Sequence, residues 1–131
     1  MLNNSGVTKT TFGAPRQILA DVQHQKSCGC IVPQSIGVTV GAKRIAKAGT
    51  PIHVDFMNLQ NDVAAAAAGK NMNAVLLHDV DVTNGAGNGT ALYFGTINVN
   101  RVESDVASAI DTALALTDAD APSPLLVFGK F

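Results

Sequence analysis

The sequence predicts a mainly β protein with one helix in its C-terminal half, an α+β chain. Two observations carry this. Val75–Thr83 and Ala91–Val99 are alternating runs rich in Val, Leu, Thr, Tyr, Phe and Ile, joined by Asn84-Gly85-Ala86-Gly87-Asn88-Gly89. Those loop residues tolerate positive φ, so the pattern predicts an antiparallel hairpin. After Asn100 the period lengthens: Val102, Val106, Ile110, Ala113 and Leu114 recur every three to four residues, which is helical spacing.

Taken in order, residues 1–35 read either as a disordered tail or as an extended N-terminal arm that orders on a partner, and 36–131 as a β-rich domain. Up to about residue 40 the chain is polar, and its few strong hydrophobes are too sparse to order it alone. Arg16–Val22 fits one short turn of helix. Ile36, Val38 and Val40 alternate onto one strand face. Ala48-Gly49-Thr50-Pro51 is a turn leading into the extended Ile52-His53-Val54. The alanine-rich stretch NLQNDVAAAAAGKNMN lacks a packing face and predicts a surface loop with one helical turn. In the Val75–Thr83 strand, Leu76, His78, Val80 and Val82 share one face. Leu77, Asp79, Asp81 and Thr83 share the other. Ser104 is the expected helix N-cap, with Asp105 near the positive end of the dipole, and the helix should end near Thr117. Pro122 and Pro124 bar continuation, and Leu125–Phe128 reads as a last strand.

Composition narrows function. Hydrophobic residues make up 47% of the 131-residue chain and charged residues only 15%. The surface therefore carries less charge than a free monomer normally needs, which points to self-association or a partner. Net charge is −1 with no basic patch, so nucleic-acid binding has no electrostatic support. No apolar run has the length of a membrane helix and no signal peptide is expected, which predicts synthesis in a cytoplasm and no membrane partner. Cys28 and Cys30, one residue apart, are too close for an unstrained disulfide and read as free thiols.

Several groups invite a chemical reading. His24, Cys28 and Cys30 offer three soft ligands, but without a nearby fourth and with unusual cysteine spacing. Asp79 and Asp81 share a strand face where they could hold a cation, whereas His78 points away. His53 reads as a structural histidine. No Ser, Cys or Lys has a matched base, and the NGAGNG loop lacks the Lys and Ser/Thr of a phosphate loop. The residues therefore predict no enzyme, no cofactor and no metal. A small metal-binding or enzymatic module is the competing class, and a ligand-binding barrel is disfavoured by scarce aromatics.

The string VLLHDVDVTNGAGNGTALYFGTINVNRV, preceded by KAGTPI, resembles small structural proteins of tailed-bacteriophage heads. They share a K-x-G-T-P turn, a variable loop, an LLHDVDVT strand, a Gly/Asn loop and a G-x-x-N-x-x-R strand. The likeness covers Ile45–Val102 and is similar in layout to the lambda-type head decoration proteins. It implies a small β-barrel or β-tulip-like body behind an N-terminal arm. It also implies a homotrimer on the capsid exterior of the virion, bound to the major capsid protein. On this reading Phe12, Arg16, Ile18, Leu19, Val22, Ile31 and Val32 contact the capsid, and a chain lacking residues 1–32 keeps a folded body. A head fibre base or a tail protein is the neighbouring alternative.

Overall fold

A computed structural model describes residues 17–67, 70–115 and 125–131. The described residues are mainly β with one α-helix. We number the strands β1 (Lys26–Val32), β2 (Val38–Val40), β3 (Lys43–Ala46), β4 (Pro51–His53), β5 (Ala64–Ala65), β6 (Ala74–Leu76), β7 (Val80–Asp81), β8 (Gly87–Asn98) and β9 (Leu125–Gly129). The helix α1 is Ser104–Ala115.

The larger sheet runs β9-β8-β6-β4-β5, with β1 also paired to β8; the smaller one runs β2-β3-β7. The twelve-residue β8 is the spine. Leu92 has partners on both edges, Ser27 of β1 and Val75 of β6. The register against β1 then jumps from Ser27↔Leu92 to Lys26↔Phe94, leaving Tyr93 as an extra residue, a β-bulge. Beyond the bulge, Ile97 bridges Leu19 on one side, while Phe94–Asn98 pair in parallel with β9 on the other.

Both faces of the central sheet are covered. Val75, Leu77, Leu92 and Ile97 join Val102, Val106, Ile110 and Ala113 from the helix and its approach. Ala74, Leu76, Ala91 and Ile52 face the other way, onto Ala46 and Val80 of the small sheet and the adjoining Val82. Adjacent residues thus serve opposite cores, as the pleat requires. The layers are helix, large sheet, small sheet.

Several expectations change. The sheets are open, so the barrel or tulip-like body is corrected. One long spine flanked by strands of two to seven residues, with β2-β3-β7 pairing separately, leaves no closed circuit. The single strand over 75–83 is two, β6 and β7, in different sheets. The chain bends at Leu77–His78, and Asp79 Oδ1 accepts the Ala48 N–H at 2.7 Å, which anchors the corner. Leu76, Val80 and Val82 still reach one core, but His78 turns out to solvent. The alanine stretch holds no helical turn among its described residues; Ala64–Ala65 pair with Ile52–His53 instead. Residues 17–22 likewise form no helix. Glu103 rather than Ser104 precedes the helix, and its carbonyl accepts the Ala107 N–H.

Of the segment predicted as an arm, the described residues 17–35 pack into the body. Lys26–Val32 pairs along β8 for seven residues, and Ile18, Leu19, Cys30 and Val32 are buried. Sparse hydrophobes suffice there because only one face of an added strand needs apolar side chains. Cys28, Cys30 and Val32 supply that face at every second position.

Gly49 brings the backbone close to Val102 and to Val106 of the helix. Its φ is +91°, its N–H donates to the Leu76 carbonyl at 2.7 Å, and a Cβ would lie 2.7 Å from Val102 Cγ1. Gly49→Ala therefore meets both a strained φ and a clash with buried carbon. Urea unfolding should show a loss of about 1–3 kcal/mol.

Candidate interaction surface

The polar groups that invited a chemical reading are dispersed, and all but the exposed His78 are already engaged. Asp79 is held by the Ala48 amide. Asp81 Oδ1 accepts from both the Thr83 hydroxyl at 2.6 Å and the Thr83 N–H at 2.9 Å. Those bonds, the hydroxyl first, and the nearby Lys43 hold the Asp81 carboxyl below the usual carboxylate range. The two aspartates close a corner and a turn rather than converge on a cation. His24 pairs through Nδ1 with Asp21 at 2.7 Å on the surface, while Cys28 and Cys30 point into the core beneath the small sheet. Burial pushes both thiols up, and for Cys30 the neighbouring Cys28 adds to it, so both are protonated at neutral pH. His53 donates through Nδ1 to the Asn71 carbonyl at 2.8 Å. Among the described residues no three His, Cys, Asp or Glu side chains form a metal-binding group.

Lys47 belongs to the KAGTP turn and ties it to the start of α1. Its Nζ lies 3.0 Å from Asp105 Oδ2 and 3.3 Å from Glu103 Oε2. The hydrogen bond with Asp105 raises the lysine pKa and lowers that of Asp105. The aspartate contribution is complete above its ordinary pKa and is lost as pH falls through the lowered folded value. The lysine contribution is complete below its ordinary pKa and is lost as pH rises through the raised folded value. Lys47→Met should therefore cost a constant amount, under about 1 kcal/mol for so exposed a partner, between roughly pH 5 and 9. As pH falls below about 4 and on through the lowered folded value of Asp105, the native and variant stabilities should draw together, as pH-resolved urea titration would show.

What remains is apolar surface. In β9, Leu126 is buried against the helix, so Leu125 and Val127 face the other way; they are 65% and 60% exposed. Leu125 pairs with Phe94, and Phe94 pairs with Lys26. Lys26, Phe94 and Leu125 thus make a row across three strands, with the Lys26 ammonium 5.9 Å from the Phe94 ring centroid. The row lies on the sheet face that carries the small sheet elsewhere, at the end where β8 has passed its bulge.

A second apolar feature is the loop 55–62. Asp55 Oδ1 accepts the Met57 N–H, Asp55 Oδ2 accepts from Asn61 Nδ2, and the Phe56 ring stands edge-on to Tyr93 at 5.4 Å. These bonds fix the loop while Met57 remains 94% exposed. A cleft of about 270 Å³ beside α1 is lined by Ile36, Val38, Thr50, Val106 and Ala109, with the Lys47–Asp105 pair at its lip.

The sequence-chosen contact residues fare differently. Phe12 and Arg16 lie outside the described residues. Ile18, Leu19 and Val32 are committed to the protein's own cores, so the isolated chain does not offer them to a partner. Ile31 is half-buried, with its carbonyl accepting from the Val63 N–H. Val22 is 57% exposed. Sequence reasoning missed Phe94, Leu125, Val127 and Met57, whose exposure depends on sheet register and loop geometry. Compared with known proteins, the chain matches no family model, no curated protein and no solved structure.

Proposed function

We propose that this is a structural virion protein that binds the outer surface of a tailed-phage head and stabilises the capsomers of its major capsid protein. The observation that carries the reading is the exposed apolar row Phe94–Leu125 with Val127, mounted on the spine of a sheet whose two cores hold it rigid. Rigid apolar side chains lose little entropy on docking, so they suit a protein whose work is contact. The likeness of Ile45–Val102 to head proteins and the sparse surface charge support the same reading. So does the engagement of Asp79, Asp81, His24, His53, Cys28 and Cys30 in turns, pairs and cores. The body acts as a homotrimer at the three-fold positions, and many modest contacts repeated over the shell resist internal pressure. Phe12 and Arg16, with Val22, contribute capsid contacts alongside the row.

The test is co-sedimentation of the full chain with expanded capsids of its phage. Pelleting at close to one copy per capsid subunit is the expected result. A chain that stays in the supernatant at saturating capsid sinks the reading, and immunogold labelling of tails would move it to a tail component.

A further inference from the structure

We infer that the outer edge of β9 pairs with the same edge of a second copy, antiparallel across a two-fold axis at Val127. Backbone geometry shows which groups are available. The Ala20 N–H donates to the Thr96 carbonyl and the Asn98 N–H to the Ile18 carbonyl, so Thr96 and Asn98 turn their backbones towards the Leu19 side of β8. Gly95 and Ile97 therefore face β9. In a parallel ladder they engage the residues flanking their register partners Leu126 and Phe128, which are Leu125, Val127 and Gly129. The N–H and C=O groups of Leu126 and Phe128 point outward, and no described strand pairs with them.

The other edges are shorter or, for β1, partly engaged. β5 has two residues and β2 three. The free side of β1 is held at Ile31 by its bridge to Asp62 and by the Val63 N–H. The edge of β9 is five residues, Leu-Leu-Val-Phe-Gly, without the charge or proline that usually guards an exposed edge.

The strand is also complementary to itself. With Val127 opposite Val127 of the second copy as a close, non-hydrogen-bonded pair, Leu126 and Phe128 exchange both bonds with Phe128 and Leu126 across the axis. Every outward amide on those residues is then satisfied. Leu125 and Val127, exposed in one copy, become part of an apolar row continuous through both sheets. No charge on β9 opposes its own image. A contact of this length buries less than the roughly 1,600 Å² of a standard interface, so association is concentration-dependent. The pairing is independent of capsid binding. It joins two monomers, or two trimers if the three-fold contacts of the proposed function also form.

Sedimentation-velocity runs over a concentration series, without capsids, test it. Val127→Lys sets two ammonium groups against each other at the axis while leaving a position that is exposed in the single chain. It should halve the associated mass at a concentration where the native chain is paired. Val127→Cys places two thiols in a close cross-strand pair and should form a disulfide-linked species about tenfold faster than Thr112→Cys on the exposed helix face. The pairing is overturned by a native mass that Val127→Lys leaves unchanged, or by Val127→Cys linking no faster than the helix control.

Discussion

Leu92→Ala should lower the unfolding free energy by about 2–5 kcal/mol and the melting temperature by on the order of 10 °C. Leu92 is fully buried at the centre of the spine, with a backbone partner on each edge. Its side chain belongs to the core that joins the sheet to Ile110 and Val106 of α1. Truncation removes the transfer energy of the lost carbons and leaves a void. Strands on both sides and a helix above limit the collapse that could fill it, which places the cost towards the upper half of that range. Leu114→Ala, on the half-exposed side of the same helix, should change stability by less than about 1 kcal/mol. Urea unfolding of the two variants checks the pair. Equal losses would mean that α1 does not seal this face of the sheet.

The helix core was legible because its signal is local. Val106, Ile110 and Ala113 repeat on one face, and those are the helical residues that become buried. The last strand was legible from Leu125–Phe128, but the glycine–asparagine loop only in its first half: Gly85 has φ +139°, whereas Gly87, Asn88 and Gly89 open β8 and pair with β1. The features that sequence missed depend on partners distant in the chain. Alternation through Val75–Thr83 is compatible with one strand in one sheet. It breaks because Asp79 finds the Ala48 amide and the chain leaves β6 for the small sheet. Alanines at 64–65 carry little strand propensity, yet β4 offers a free edge and they take it. The same holds for the candidate surface. LLVF reads as a strand with no preferred face, and only the parallel register with β8 shows that Leu126 goes in while Leu125 and Val127 stay out.

The N-terminal segment yields the sharpest contrast between sequence and structure. Sequence alone predicts that a chain lacking residues 1–32 keeps a folded body; the fold predicts that it does not. That deletion removes all seven residues of β1 and strips one edge from most of β8. It also takes Ile18 and Leu19 from the helix-side core and Cys30 and Val32 from the other, so both faces of the sheet are opened together. Each lost aliphatic side chain is worth about 2–5 kcal/mol, and a domain of this size has only about 5–15 kcal/mol in total. The 33–131 chain should therefore lack a cooperative urea transition. A chain beginning at Gln17 keeps the Leu19–Ile97 bridge, the Gln17 side-chain bond to the Leu19 N–H, and the whole of β1. It should keep a cooperative urea transition. Because that shorter chain stays folded, it also separates two sources of capsid affinity. If it no longer pellets with capsids, the contact rests on residues 1–16, including Phe12 and Arg16. If it pellets as the full chain does, the contact rests on the body, and the Phe94–Leu125 row is where substitution should then abolish it.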